Sequence, residues 1–265
     1  MKKIILQFLI LIFSFFACWF VLSKVDWMTL FNVTHLTKTT EEKLGDLIWE
    51  VHNATEKEIT TIEVTNSIDS ILVRICKANG IDREQIKVHV VKSEEINAFA
   101  LPNRHLIINS QLIADCENPE ELSGVLSHEI AHMELNHVMK KLIQEIGLSA
   151  LLSVTKGKDT KVMKDIAKTL SSSAYSRNLE KEADMKGVDY LIKAGINPNY
   201  LANFLFRLSN SKSTAGKYLS WVSSHPDSEE RAAYLVEYSG KKTVREKPIL
   251  TEPTWNKLKE EIKKQ

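Results

Sequence analysis

Apolar positions form a continuous run at the N-terminus, several stretches with helical spacing and one short stretch with the spacing of strands. The N-terminal run extends from Ile4 to Leu22 and is interrupted only by Gln7 and Ser14. At about 1.5 Å per residue, a helix of this length comes close to spanning a hydrocarbon core of roughly 30 Å. We therefore predict an uncleaved, single-pass transmembrane anchor over residues 1–24.

The residues that flank this run predict its orientation. Lys2 and Lys3 precede it, which places the remainder of the chain on the extracytoplasmic, periplasmic side of the membrane. A cleaved signal peptide would have a shorter apolar region and a small-x-small site, which Phe15-Phe16-Ala17 does not offer. The alternatives are export after signal cleavage and a lipoprotein cleaved before Cys18. With an anchor or a lipid group, membrane lipid is an expected partner.

Two amphipathic helices are predicted next, the first within a membrane-proximal segment, residues 25–60. Residues 41–58 and 64–78 carry apolar side chains at helical spacing, and the second stretch closes at Asn79-Gly80. The apolar faces consist of Leu44, Leu47, Ile48 and Val51 in the first helix and Ile68, Ile71, Leu72 and Ile75 in the second. We assign these helices to packing.

The spacing changes between residues 87 and 109. Lys87–Val91 fits a strand, and residues 97–101 with 104–109 fit a hairpin around Pro102-Asn103. We expect a small antiparallel sheet with His89 and His105 on its solvated face. An exposed edge of such a sheet could hold an extended peptide by main-chain hydrogen bonds, although an ordinary edge strand explains the pattern equally well.

A helix whose N-terminus is marked by capping residues is predicted after the sheet. It contains His128-Glu129-Ile130-Ala131-His132. Asn118 fits an N-cap, Pro119 the first helical position and Glu121 the returning carboxylate of a capping box. Histidines four residues apart share one helix face and can bind a single metal ion. Zinc suits this spacing because it accepts imidazole and carboxylate ligands and keeps one position for water in catalytic sites. Glu129 could take a proton from that water.

The predicted helix continues to about Lys141 and includes a further histidine, His137. Because His137 lies five residues past His132, it is turned well off the ligand face at about 100° per residue, and we do not expect it to bind the metal. The longer metzincin pattern is excluded, since it needs a glycine and a histidine at the positions of Leu135 and Val138. A third ligand must come from another part of the chain.

Two apolar helical stretches, residues 142–154 and 162–170, follow this helix and are separated by Lys156-Gly157-Lys158-Asp159. We predict plain packing helices. A lid over the site or a hairpin that leans on the membrane is the alternative.

The next predicted helix offers three acids for the third ligand position: Glu180, Glu182 and Asp184. Glu180 and Asp184 share the apolar face, whereas Glu182 lies on the face of Lys186. A buried carboxylate needs a partner, because burying it unpaired is costly. We predict Glu180 as the ligand, and Asp184 as the acceptor for the second N–H of a ligating histidine. Salt bridges to Arg177 or Lys181 would explain both acids without a metal.

Composition narrows the classes of function. The formal net charge is +1, and no basic run with interleaved aromatic residues is present, so we expect no nucleic-acid partner. Cys76 and Cys116 are isolated and lack the C-x-x-C spacing of a cysteine zinc site. A disulfide between them is left open.

Four motifs occur in one order along the chain: N-A-F-A-L-P at 97–102, H-E-I-A-H at 128–132, S-R-N-L-E-K-E-A-D at 176–184 and H-P-D-S-E-E-R at 225–231. In this order they resemble the HtpX/BepA-like gluzincins of metallopeptidase family 48, which also includes CAAX prenyl endopeptidases and mitochondrial quality-control proteases. The resemblance covers about Ile62 to Tyr238, and four ordered motifs are far more specific than any one of them. One departure is the hairpin turn, where the family usually has glycine and this chain has Asn103-Arg104-His105.

The resemblance implies one zinc ion per chain, with Glu180 as third ligand beside His128 and His132. It also implies endopeptidase activity on misfolded or membrane-associated proteins. In such a site, His225 would hydrogen-bond the oxyanion of the tetrahedral intermediate or act as a displaceable extra ligand.

The segment around His225 supports a fixed position for its ring. Pro226 fits the first position of a helix that runs to about Tyr238, which would hold His225 in extended conformation. Arg231, on the same helix, would pair with an acid near the site. On sequence spacing alone, a histidine in a surface loop is the favoured explanation of His225.

We therefore expect an α+β, mainly helical, zincin-like catalytic domain over residues 61–240, preceded by the anchor and followed by a charged tail, residues 241–265. The tail carries apolar residues at i, i+3 and i+7, which predict a short docking helix: Trp255, Leu258 and Ile262. Glu129 would be the general base, and substrate would contact the strand that begins with Asn97, Ala98 and Phe99. The competing hypothesis is a membrane-tethered binding or chaperone module whose metal is structural or absent. Structural zinc sites are normally closed by four protein ligands, whereas the sequence offers three convincing ones, which favours the enzyme.

Overall fold

The computed structural model describes residues 33–154, 160–210, 215–240 and 244–265, together with positions 7, 12 and 14–16. The chain divides into two compact units, Met1–Thr40 and Glu41–Gln265. Apart from the isolated positions just given, the predicted anchor and Cys18 lie outside the described residues. Within the described part of the chain, no helix combines the length and the apolar character needed to cross a membrane.

The two predicted packing helices are present as α1, Val33–Asn53, and α2, Ile62–Asn79. Helix α1 ends before the predicted end at Glu58, because Glu58 bridges to Val91 and the Ile59 N–H donates to the Val90 carbonyl at 2.7 Å. These contacts hold the chain extended beside a strand. Helix α2 closes at Gly80 as predicted, with a left-handed φ of 67° that glycine adopts without strain.

The sheet contains β1, Lys87–Val91, β2, Ala98–Leu101, and β3, His105–Asn109, in the order β1-β3-β2. The hairpin of β2 and β3 is antiparallel as predicted, but β1 pairs with β3 in parallel, so the sheet is mixed. Strand β3 takes the centre because its apolar side chains are buried on both faces, and Leu106, Ile107 and Ile108 are each 0% exposed. The prediction of a purely antiparallel sheet is therefore wrong.

The hairpin turn adopts left-handed geometry without glycine. Asn103 and Arg104, in the three-residue connection between the paired residues Leu101 and His105, have φ values of 58° and 59°, in the left-handed region that favours glycine. Asn103 Nδ2 donates to Asp46 Oδ1 at 3.1 Å, and the Arg104 guanidinium pairs with Glu134. These side-chain contacts hold a turn in which the family usually has glycine.

The predicted solvated face of the sheet is covered by α1. Trp49 stacks on the His89 ring with a centroid distance of 3.5 Å, and His105 is only 2% exposed. A chain of close contacts links Glu58 Oε1 to His89 Nδ1 at 2.8 Å, His89 Nε2 to His105 Nδ1 at 3.0 Å, and His105 Nε2 to Asp46 Oδ1 at 3.0 Å. The exposed positions predicted for these histidines are wrong, because a helix distant in sequence packs over them.

Further helices follow the sheet: α3 (Ser110–Asp115), α4 (Pro119–Glu134), α5 (His137–Ile146), α6 (Leu148–Val154), α7 (Thr160–Ser172), α8 (Arg177–Ala194), α9 (Asn199–Asn210), α10 (Ala215–Ser224), α11 (Ser228–Ser239) and α12 (Glu252–Lys263). Helix α4 packs against α2, α8, α9 and strand β2. The H-E-x-x-H pattern therefore lies in the interior of the fold.

The first apolar stretch predicted after the motif helix is divided between α5 and α6 at Gly147, which has a φ of 86°. The second corresponds to α7, and the predicted linker Lys156-Gly157-Lys158-Asp159 lies outside the described residues. Helix α7 packs against α5, α10 and strand β2. The alternative of a lid stays untested.

The tail folds back onto the helical layer. Trp255, Leu258 and Ile262 of α12 are buried, and the helix packs against α2 and α3. Cys76 and Cys116 are both buried and unpaired, so the disulfide alternative is wrong.

Candidate metal centre

Helix α4 begins at the predicted cap. Asn118 Oδ1 accepts the N–H of Glu121 at 2.9 Å, and Pro119 occupies the first helical position. The Glu121 carboxylate accepts the N–H of Glu117 at 2.9 Å rather than that of Asn118, and Arg207 Nη2 donates to the same carboxylate oxygen at 2.8 Å. The returning hydrogen bond of the capping box thus comes from the residue before the N-cap. The helix still begins at Pro119, as predicted.

Helix α4 ends at Glu134, and the predicted continuation to Lys141 is wrong. Asn136 has a left-handed φ of 56°, and α5 begins at the next residue, His137. Asparagine tolerates this conformation better than most residues, and a single left-handed residue interrupts the helical phase. His137 therefore does not point away from the motif helix. Its Nδ1 atom lies 3.1 Å from His132 Nδ1.

Helix α8 brings the third predicted ligand to α4. Ser176 caps its first turn, which contains Glu180. Glu180 is 2% exposed, whereas the Glu182 side chain is 58% exposed, as the helical faces predicted. A Cβ atom at Gly187 would lie 3.3 Å from the backbone of His128, so the absence of a side chain lets the two helices approach closely.

Four buried side chains meet between these helices: His128, His132, Glu180 and His225. His128 Nε2 lies 3.0 Å from His132 Nε2, and Glu180 Oε1 lies 3.3 Å from His132 Nε2. His225 Nδ1 lies 3.0 Å from Glu180 Oε1 and 3.3 Å from His128 Nε2. One potential ligand atom from each residue lies within 4.8 Å of the others, so the group could hold one metal ion.

His225 follows α10 and is fully buried, so a surface-loop position is wrong. The next helix begins at Ser228 instead of the predicted Pro226, because Asp227 has a left-handed φ of 61°. Asp227 Oδ2 also lies 3.0 Å from Arg177 Nε. The connection between α10 and α11 therefore turns sharply, and it places the His225 ring inside the fold.

Asp184 and Arg231 support the cluster from one side. Asp184 Oδ1 lies 2.9 Å from His128 Nδ1, and Arg231 donates to both Asp184 oxygens at 2.8 Å. Arg231 Nη1 lies 2.5 Å from Glu180 Oε2, and the Tyr234 hydroxyl also bonds Asp184. Burial opposes ionisation of Asp184 and Glu180, but the Arg231 charge outweighs it and holds both pKa values below their usual range.

Glu129 lies beside the cluster and has a different environment. Burial is the largest influence on it and raises its pKa to about 7, although the positive form of His128 and the Ala100 amide act in the opposite direction. Among the described residues, neither carboxylate oxygen makes a hydrogen bond of normal geometry. The nearest ion-pair partner is His225, whose Nε2 lies 3.4 Å from Glu129 Oε1.

Sequence reasoning gave no role to two buried side chains behind His132. Tyr175 stacks on the His132 ring with a centroid distance of 4.0 Å. Lys141 Nζ lies 4.1 Å from the centroid of the Tyr175 ring and donates to the Leu170 carbonyl at 3.2 Å. No spacing in the sequence points to Tyr175. The left-handed preference of Asn136 is the signal that could have redirected the helix and brought Lys141 inward.

The residues predicted to contact substrate lie at strand β2, which packs beside α4. Asn97 precedes the strand, and its Nδ2 donates to the Ser171 carbonyl at 3.2 Å and to Ser220 Oγ at 3.1 Å. Ala98 and Phe99 are buried, with exposures of 0% and 5%. In this arrangement α7 lies against β2, and the substrate role of these residues stays a prediction.

The family model described as Peptidase family M48 matches residues 63–239. Metalloprotease YcaL of Escherichia coli is 31% identical over 173 residues, covering 62% of this chain and 67% of that protein. Bovine mitochondrial metalloendopeptidase OMA1 is 29% identical over 196 residues, covering 68% of this chain and 38% of the relative. The beta-barrel assembly-enhancing protease of Yersinia pestis is 24% identical over 200 residues, covering 70% and 41%. The chain thus spans less than half the length of the last two proteins.

The resemblance of the four motifs is confirmed, and the chain belongs to peptidase family M48, a family of metallopeptidases.

Proposed function

We propose that this protein is a zinc-dependent endopeptidase. The observation that carries the proposal is the meeting of His128, His132, Glu180 and His225 beside the buried carboxylate of Glu129. Imidazole nitrogen and carboxylate oxygen are common zinc ligands, and two histidines with one glutamate form a known catalytic set. His128, His132 and Glu180 are the proposed ligands of one zinc ion per chain.

The orientation of the ligands supports this assignment. Asp184 Oδ1 lies 2.9 Å from His128 Nδ1, so in the zinc-loaded protein it would accept the Nδ1 proton and leave His128 Nε2 unprotonated for the metal. Burial lowers the pKa of His132 well below its usual value, which keeps this ring neutral as metal binding requires. Arg231 offsets the charge of Glu180 and fixes its carboxylate.

Glu129 is the proposed general base. When bound, zinc supplies Lewis-acid activation of a water molecule and of the scissile carbonyl. Glu129 accepts the proton of the attacking water and then delivers it to the leaving amine. Among the described residues its oxygens make no hydrogen bond of normal geometry, and burial raises its pKa to about 7 in the metal-free chain, which favours proton acceptance near neutral pH.

His225 is proposed to stabilise the oxyanion of the tetrahedral intermediate. Its Nε2 faces Glu129, while its Nδ1 lies among the ligand atoms. The second position supports the alternative role of a displaceable extra ligand, which leaves the cluster when substrate enters. Removing an oxyanion donor typically lowers the rate by about 10²–10³, and we expect a loss of this size for His225→Ala.

A binding module with a structural metal is the second candidate, and the position of His225 favours it. With His225 the cluster has four protein donors, the number that normally closes a structural zinc site. A structural site, however, gives no reason to bury a carboxylate such as Glu129, which among the described residues makes no hydrogen bond of normal geometry, since such burial is costly. Membership of a metallopeptidase family also supports the enzyme.

We further propose that the substrates are misfolded or membrane-associated proteins and that residues 1–24 anchor the chain with the domain of residues 61–240 on the extracytoplasmic side. The apolar run Ile4 to Leu22 supports the anchor. Relatives named as a mitochondrial metalloendopeptidase and a beta-barrel assembly-enhancing protease support such substrates. Capture of bound proteins by a Glu129→Gln variant in native membranes would identify them and report the side of the membrane.

The catalytic proposal is tested by casein digestion with and without a chelator. We expect cleavage by the zinc-loaded protein, loss with the chelator, recovery with added zinc, and no cleavage by Glu129→Gln with zinc still bound. Glu230→Gln, at an exposed position of α11, is the matched control and should cleave normally. Proteolysis retained by Glu129→Gln would refute the mechanism, and no chelator-sensitive cleavage by the unaltered protein would favour the binding module.

A further inference from the structure

His137 lies directly behind the proposed ligand His132. On a continuous helix, a residue five positions past His132 would be rotated by about 140° from it. The left-handed φ of 56° at Asn136 breaks the helix, and the chain brings the His137 ring back toward α4. His137 is 0% exposed, and the centroids of the two imidazole rings are 5.1 Å apart.

Two polar contacts place His137 between His132 and an acid on α8. Its Nδ1 lies 3.1 Å from His132 Nδ1, and its Nε2 lies 3.2 Å from Glu182 Oε2. The opposite nitrogen of His132, Nε2, faces the ligand cluster, 3.0 Å from His128 Nε2. His132 therefore has one nitrogen for the metal and the other for His137.

The proton positions along this chain follow from metal binding. A metal-bound Nε2 carries no proton, so the neutral ring of His132 carries its proton on Nδ1 and donates it to His137. His137 must then accept at Nδ1, carry its own proton on Nε2 and donate it to Glu182. Both contacts are satisfied with two neutral rings and an ionised carboxylate.

We infer that His137, backed by Glu182, is a positioning residue that holds His132 in the tautomer and orientation required for metal binding. This inference rests on the proposed function. His128 obtains the same support directly from Asp184, whereas His132 obtains it through a second imidazole. Glu182 lies on the exposed face of α8, which gives no sign of this contact in the sequence.

Zinc affinity, measured by competition with a chromophoric chelator on the full chain, tests the inference independently of proteolysis. His137→Leu removes the acceptor and should weaken zinc binding about 10- to 100-fold. His137→Asn places an amide oxygen near the position of Nδ1 and should recover most of the affinity. Glu182→Gln keeps an acceptor but removes its charge and should cause a smaller loss, while the exposed control Glu230→Gln should bind zinc normally.

The ligand-field spectrum of the cobalt-substituted protein gives a second measurement. A changed coordination geometry in His137→Leu, with the normal spectrum in His137→Asn, is the expected result. Zinc affinity and cobalt spectrum unchanged in His137→Leu would overturn the inference. If His137→Leu does not fold, the other two variants decide. Complete loss of zinc affinity in His137→Asn, together with normal affinity in Glu182→Gln, would then overturn the inference. Normal zinc binding without proteolysis in the unaltered protein would refute the endopeptidase alone.

Discussion

Replacing Glu129 by Gln should stabilise the metal-free protein at neutral pH, in addition to abolishing proteolysis. Glu129 is 0% exposed, and burial raises its pKa from the ordinary 4.5 to about 7. With a raised pKa, the folded chain binds this proton more tightly than the unfolded chain, so stability is lost as the pH rises from 4.5 to about 7. At about 1.4 kcal/mol for each tenfold difference in proton affinity, the loss reaches about 3 kcal/mol above neutral pH.

Urea unfolding of the chelator-treated protein at a series of pH values measures this effect. The glutamine variant cannot ionise, so its free energy of unfolding should exceed that of the unaltered protein by about 3 kcal/mol above neutral pH and by almost nothing below about pH 4.5. Bound zinc should reduce the difference, because a nearby cation favours the ionised carboxylate.

Glu230→Gln, at an exposed position of α11, is the control for the same chemical change outside the buried site. A stability difference in Glu129→Gln that is constant with pH, or that has the opposite sign at neutral pH, would refute burial as the cause of the raised pKa. Such a result would also remove the physical basis for Glu129 as a base active near neutral pH.

Three further predictions concern the supporting structure. Asp184→Asn should weaken zinc binding about 10- to 100-fold in chelator competition, because His128 loses the carboxylate that orients it; unchanged affinity would contradict this role. Asn118→Ala should lower the free energy of unfolding by about 1 kcal/mol in urea, through loss of the N-cap, without changing zinc affinity. Burial lowers the pKa of His105 from the ordinary 6.5 to about 4, so the folded chain binds fewer protons and loses stability as the pH falls between these values. His105→Gln should therefore reduce this acid destabilisation by up to about 3 kcal/mol, and an unchanged pH dependence of urea unfolding would contradict the assignment.

Signals within a single helix were predictable from the sequence. The cap at Asn118 and the spacing of the two motif histidines give the position and the buried face of α4. Helical periodicity also separates Glu180, which is buried in the cluster, from Glu182, which is exposed. These features depend on neighbours within a few residues, so the local pattern contains the information that determines them.

Features that depend on contacts between distant segments were not predictable. His89 and His105 are covered by Trp49, from a helix that the strand pattern does not specify. The parallel pairing of β1 with β3 depends on which strand can be buried on both faces. His225 was identified through the resemblance of its motif, since on spacing alone it resembles a surface residue.

Periodicity also does not reveal how the residues after a helix break are rotated relative to the first helix. A single left-handed residue, Asn136, reverses the expectation for His137, because every later position is rotated relative to the motif helix. Asparagine is compatible with such a break but does not require it. The sequence therefore leaves the direction of α5 undetermined until packing is known.

The complete burial of the cluster has a consequence for the kinetics of metal exchange. His128, His132 and His225 are each 0% exposed, so a chelator in solution reaches a bound ion only after the surrounding helices separate. Inactivation by a chelator should then level off at high chelator concentration, at the rate of this opening. At a surface site, the rate would continue to rise in proportion to the chelator. In the proposed endopeptidase, a substrate peptide would also need these helices to separate before it reached the site.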